Sequence, residues 1–197
     1  MSTDRLVVIA VNACLLSSVA AYVLWRLNPN VALEHHEIES TQAGLLMLAS
    51  MLHLYYGWSE SNQSARHVRD GLALLCLSFF MREIDIHELG DEAVIYPLEY
   101  GLRGVVVVLW IIFALRVWFG LGGLVECRWR VALSSAILFS ITGCLLYAAS
   151  WPFDKEVIRL DEGWSLIIEE TLQLNATILF VIGAFGNVVQ PRGIESE

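Results

Sequence analysis

Six apolar runs divide the chain, at about residues 6–25, 38–58, 69–87, 98–118, 131–149 and 164–187. Each is close to the ~20 residues that an α-helix needs to cross the hydrocarbon of a bilayer. They do not alternate apolar and polar positions as the strands of a membrane barrel would. The pattern predicts an all-α, polytopic membrane bundle of six transmembrane helices, forming one domain over residues 1–197. Breaks separate the runs: Asn28-Pro29-Asn30, a polar stretch from Ser59 to Arg69, a short loop from Gly120 to Arg130, and a charged stretch from Asp154 to Glu162. Pro97 suits the first turn of the fourth helix. Tyr55, Tyr56 and Trp58 close the second run, and Trp151 and Phe153 the fifth, as interfacial anchors. The first run carries a cleavage-like Ser18-Val19-Ala20 but continues apolar to Trp25, so a retained helix is expected.

The third run is short. Only Leu72 to Met81 is unbroken apolar sequence, so a full span must take in Arg82-Glu83-Ile84-Asp85-Ile86-His87. A charge at the bilayer centre costs about 2.5–3.5 kcal/mol on insertion scales, so these groups are expected to face protein or water.

Composition agrees with the pattern. The chain is 56% hydrophobic, with a mean hydropathy of +0.59, against roughly 45–50% apolar residues in soluble domains. The net charge of −9 is unevenly spread. With six spans, one side holds Arg5, Arg66, Arg69, Arg116, Arg128, Arg130 and Arg192 with six acids; the other holds five basic residues with fifteen acids. The positive-inside bias predicts both termini on the cytoplasmic side, in a bacterial inner (plasma) membrane. No basic patch supports nucleic-acid binding. The expected partners are the lipid bilayer and either a second copy of the chain or another membrane subunit.

Two helix starts share a design. Glu39-Ser40-Thr41-Gln42 and Glu170-Thr171-Leu172-Gln173 each place Glu, a hydroxyl residue and Gln at i, i+1 and i+3. This is consistent with a weak hairpin repeat of spans 1–2 and 5–6, and it delivers polar groups to one level. The candidate constellation on the acidic side is His36, Glu37, Glu39 and Gln42; Arg82, Glu83, Asp85 and His87; Glu99 and Arg103; and Glu169, Glu170, Gln173 and Asn175. Ionisable groups at that depth point to function. Carboxylate and amide oxygens suit hard divalent cations, and a histidine would bring in softer metals. His36, Glu39 and Glu170 are therefore the candidate metal ligands, with a divalent ion as the implied cofactor. Glu39, Asp85 and Glu170 are the candidate catalytic carboxylates. Gln42, Arg82, Glu83, Glu99, Arg103, Glu169 and Gln173 are candidate binding groups, the two arginines for an acid or a lipid phosphate.

The sequence leads to an acidic, outward-facing pocket for a cation or a polar headgroup, in a chain that could act as a metal-assisted lipid hydrolase. Two alternatives stand beside it: a non-enzymatic subunit whose polar network is structural, and a small proton- or cation-coupled transporter. The apolar inner halves of spans 2, 4 and 6 count against transport. No G-x-S-x-G, phosphate-loop or dinucleotide motif is present. His53 stands alone in its span, so a bis-histidine haem is unsupported, and the four cysteines read as packing residues.

Overall fold

The computed structural model describes residues 2–28, 37–84, 92–155, 157–158 and 160–188. These form six helices: α1 Thr3–Leu27, α2 Glu37–Ser59, α3 Gln63–Glu83, α4 Glu92–Ala132, α5 Ser135–Asp154 and α6 Glu162–Ala184. No strand occurs among the described residues. Four helices, α1, α4, α5 and α6, are long and apolar enough to cross a membrane. α2 and α3 fall short of that measure because they carry more polar residues, and they bury several of them: Gln42, Ser50 and His53 on α2, and Ser64, His67 and Arg69 on α3.

Two boundaries differ from those read off the sequence. The stretch from Ser59 to Arg69 is mostly helix. Asn62 caps α3, its Oδ1 accepting from the amides of Ser64 (2.8 Å) and Ala65 (3.2 Å), so the polar residues that follow lie on helical turns. The segment from Gly120 to Arg130 does not turn either. α4 continues through it to Ala132, and the chain reverses only at Ser134, which caps α5. Pro97 lies inside α4 rather than at its start, and the helix continues through it with one backbone donor fewer.

α6 is the centre of the bundle, flanked by α1, α2 and α5. α5 approaches closest. A Cβ on Gly143 would meet the Ala176 carbonyl oxygen at 3.1 Å and the Phe180 ring at 3.1 Å; one on Gly186 would meet the Ala136 amide at 2.7 Å. Such small-residue contacts are how apolar helices associate where water supplies no driving force. Gly143→Val is expected to destabilise the fold by about 1–3 kcal/mol through overpacking, read as a lowered unfolding midpoint in detergent.

α1 lies on α6 through Leu6 and Ala10 against Leu179 and Ile182. Asn175 ties the pair: Ser17 Oγ donates to its Oδ1 (2.7 Å) and its Nδ2 donates to Ser18 Oγ (2.9 Å). Trp25 and Trp164 close the same pair at one end, ring centroids 5.0 Å apart. α4 packs mainly on α3, where Trp110 Nε1 donates to Ser78 Oγ (2.8 Å) and Phe113 covers Gly71. The remaining surface of α4 exposes Val105, Val108, Ile111, Ile112 and Leu115, an apolar face suited to lipid. The middle of the bundle is an apolar cluster built on Leu46, Ala49, Cys76, Tyr147, Ala176 and Phe180.

Candidate functional site

The starts of α2 and α6 meet the end of α3 and the later part of α5. Gln42 is fully buried. Its Nε2 donates to Glu170 Oε2 (2.7 Å) and to the Glu170 carbonyl (3.1 Å). The two Glu-hydroxyl-x-Gln starts therefore reach one another directly. One turn along α6, Gln173 Nε2 donates to Glu169 Oε1 (3.0 Å) and to Ser150 Oγ of α5 (3.3 Å).

Four carboxylates surround this pair. Glu170 lies within electrostatic reach of Glu169, Glu83 and Glu39, and Glu83 of Arg82, Glu39 and Glu169. Asp154 and Lys155 stand beside Glu169 at the rim. Tyr147 of α5 lies within electrostatic reach of Glu83, and the Arg82 guanidinium lies over the Tyr147 ring, 5.7 Å from its centroid. Among the described residues acids outnumber bases here: Glu39, Glu83, Glu169, Glu170 and Asp154 against Arg82 and Lys155. Glu170 is 7% exposed and Gln173 3%, so water screens little of the mutual repulsion. Gln42 Oε1 is buried among these groups with no hydrogen-bond partner among the described residues.

Of the residues singled out from the sequence, the structure brings together Glu39, Gln42, Arg82, Glu83, Glu169, Glu170 and Gln173. His36, Asp85 and His87 lie outside the described residues. Glu99 and Arg103 stand apart on α4, where they form the expected i,i+4 ion pair at 2.6 Å. Arg103 and Arg82 line a shallow 280 Å³ cavity between α3 and α4, together with Ser78, Met81 and Val106. Among the described residues, no group of three or more His, Cys, Asp and Glu is arranged to hold a metal ion.

Sequence reasoning missed Tyr147 and Ser150. Both lie in an apolar run where a hydroxyl reads as packing, and only the helix pairing reveals their partners. It also missed a second polar cluster at the opposite end of α2, α3 and α6. Arg69, 4% exposed, donates from Nη1 to the Ala184 carbonyl (2.7 Å) and from Nη2 to the Gly186 carbonyl (2.6 Å). It lies 3.4 Å from His53 Nδ1 and over the Tyr56 ring. His53 is thus a buried neighbour of an arginine that caps α6.

No protein-family model, curated protein or solved structure matches the chain. What the fold and the site define is a class: an all-α protein with helices able to cross a membrane and a buried carboxylate cluster at one end of its bundle.

Proposed function

We propose that this is an integral membrane protein that binds a cation in the carboxylate cluster at the heads of α2 and α6. The observation that carries this reading is the pairing of charge and orphaned acceptor. Among the described residues, Glu39, Glu83, Glu169 and Glu170 lie within electrostatic reach of one another, with Arg82 the base that faces Glu83, and the buried Gln42 Oε1 beside Glu170 has no donor. Oxygens of this kind, all acceptors when ionised, are what a hard cation or a set of protons satisfies. Glu39, Glu83 and Glu170 supply charge, Gln42 supplies a neutral oxygen, and Arg82 limits the excess.

On this reading all six helices cross the bilayer, with most of the polar side chains of α2 and α3 turned into the bundle. The arginine bias places the cluster on the side opposite the cytoplasm. The largely apolar centre favours binding over transport. Leu46, Ala49 and Phe180, none of them exposed, stand between the carboxylates and the Arg69 cluster, with Ser50 and Thr177 as buried polar side chains at that level.

The test is cation content and affinity of the detergent-purified protein. Wild type and a Glu39→Gln/Glu170→Gln double variant are dialysed against Ca²⁺, Mg²⁺ and Mn²⁺ and analysed by elemental mass spectrometry. Proton release is followed on addition of each ion. Near-stoichiometric binding with proton release, weakened at least about tenfold in a variant that keeps its helicity, is expected, since each tenfold is about 1.4 kcal/mol. Equal and negligible uptake by both proteins, with no proton exchange, removes the cation reading and leaves the cluster as a structural network.

A further inference from the structure

The opposite end of the bundle carries a cavity of different chemistry. It measures 580 Å³ and lies between α3 and α4, lined by Arg66, His67, Asp70 and Arg116, with Ser61 and Gln63 at its edge. Arg66 and Arg116 are exposed. Asp70 lies within electrostatic reach of His67 and both arginines. Arg66, Arg116 and Asp70 together give the lining one net positive charge. His67 is 9% exposed, and neither of its ring nitrogens has a hydrogen-bond partner among the described residues. A buried imidazole with no partner, on the wall of a basic cavity, is a group waiting for one.

A second cavity, of 360 Å³, shares Arg66, Asp70 and Arg116 with the first. Its other walls are apolar, formed by Leu54 of α2, Leu74 of α3, and Leu109, Ile112 and Phe113 of α4, with Trp58 at the mouth. Leu109, Ile112 and Phe113 are one to two turns from Arg116 towards the middle of α4, so the groove runs from the basic cavity into the apolar band of the helix. A charged compartment joined at its base to an apolar furrow has the shape of an amphiphile.

We infer that the α2–α3–α4 face binds an anionic phospholipid. Its phosphodiester is held by Arg66, Arg116 and a ring nitrogen of His67, and one acyl chain lies along Leu74, Leu109, Ile112 and Phe113. One phosphodiester matches the single net positive charge of the lining. Guanidinium groups make charge-assisted bonds to phosphate oxygens, and basic pockets between membrane helices are a recurrent site for anionic headgroups. A zwitterionic lipid would bring its own cation against two arginines. The site is distinct from the carboxylate cluster and does not depend on its function.

Native mass spectrometry of the full-length protein in detergent tests this. Phosphatidylglycerol and phosphatidylcholine with identical chains are titrated separately, and glycerol phosphate supplies a headgroup without chains. Wild type is expected to prefer phosphatidylglycerol about tenfold or more, since both arginines favour the lipid with net negative charge. Arg66→Gln/Arg116→Gln should abolish the preference. Leu109→Trp, which fills the furrow, should weaken lipid binding while leaving glycerol phosphate unaffected. Equal affinity for the two lipids in wild type, or a preference that survives the double variant, overturns the inference. So does glycerol phosphate binding as tightly as the lipid, which marks a site for soluble phosphate instead. The wild-type comparisons decide even if a variant fails to fold.

Discussion

Replacing Arg69 with methionine is expected to destabilise the protein by about 3 kcal/mol or more, the largest loss from any single side chain at the α6 end of the bundle. The last carbonyls of a helix have no partner within it, and they form the negative end of its dipole. At the end of α6 those carbonyls are turned inward, towards a side chain 4% exposed. Two charge-assisted bonds, 2.7 Å to the Ala184 carbonyl at the helix end and 2.6 Å to the Gly186 carbonyl just past it, satisfy the acceptors there. Each is worth roughly 1.5–3 kcal/mol, and methionine fills similar space while donating nothing. The same side chain joins α3 to the end of α6 across more than a hundred residues and stacks on Tyr56 of α2, so three helices lose a common tie. Detergent–SDS unfolding followed by tryptophan fluorescence measures the effect. Arg66→Met, three residues away but exposed, serves as control and should change stability by less than about 0.5 kcal/mol. A loss at Arg69 no larger than at Arg66 would show that the buried bonds contribute nothing.

That arginine also shows where sequence reading runs out. Ser59 to Arg69 is rich in Ser, Asn, Gln and Arg, and local polarity argues for a solvated loop. What makes it a helix is a cap, Asn62, and a distant need for donors at the end of α6. The first is a local signal that polarity obscured; the second is visible only once α3 and α6 are side by side. The loop expected from Gly120 to Arg130 is helix for a related reason: glycine permits a turn without requiring one, and Ser134 supplies the cap that the reversal needs. The carboxylate cluster was more legible. An acid in an apolar run is costly enough to demand a partner, and matched Glu-hydroxyl-x-Gln starts predicted that two helices deliver groups to one level. The bond from Gln42 to Glu170 is that level. Glu99 and Arg103 had the same polarity and the right depth, but α4 packs on α3 rather than on α6, so their pair stands outside the cluster.

The Gln42–Glu170 pair separates structure from charge in a way a single deletion cannot. Gln42→Leu removes the donor that faces Glu170 Oε2 at 2.7 Å in a site with 0% exposure at Gln42 and 7% at Glu170. The carboxyl is left among like charges with no amide to satisfy it, and a loss of about 2–3 kcal/mol is expected. Glu170→Gln is nearly isosteric and keeps an oxygen for Gln42 Nε2, while removing one negative charge from a group of four. Its stability should therefore equal wild type or exceed it by about 1 kcal/mol, the sign set by relief of repulsion among Glu39, Glu83 and Glu169. Gln42→Leu/Glu170→Leu replaces both partners with apolar groups and should recover most of the single-variant loss, as matched removal of a buried pair does. The opposite ordering, with Glu170→Gln costing as much as Gln42→Leu, would mean that the negative charge itself holds α2 to α6. Arg82 would then be its true partner, and the acids would be balanced within the protein with nothing left over for a cation. Unfolding midpoints of the four proteins, measured with and without added divalent ion, distinguish the two: a stabilising ion effect present in wild type and absent from Glu170→Gln is expected if the excess charge exists to hold one.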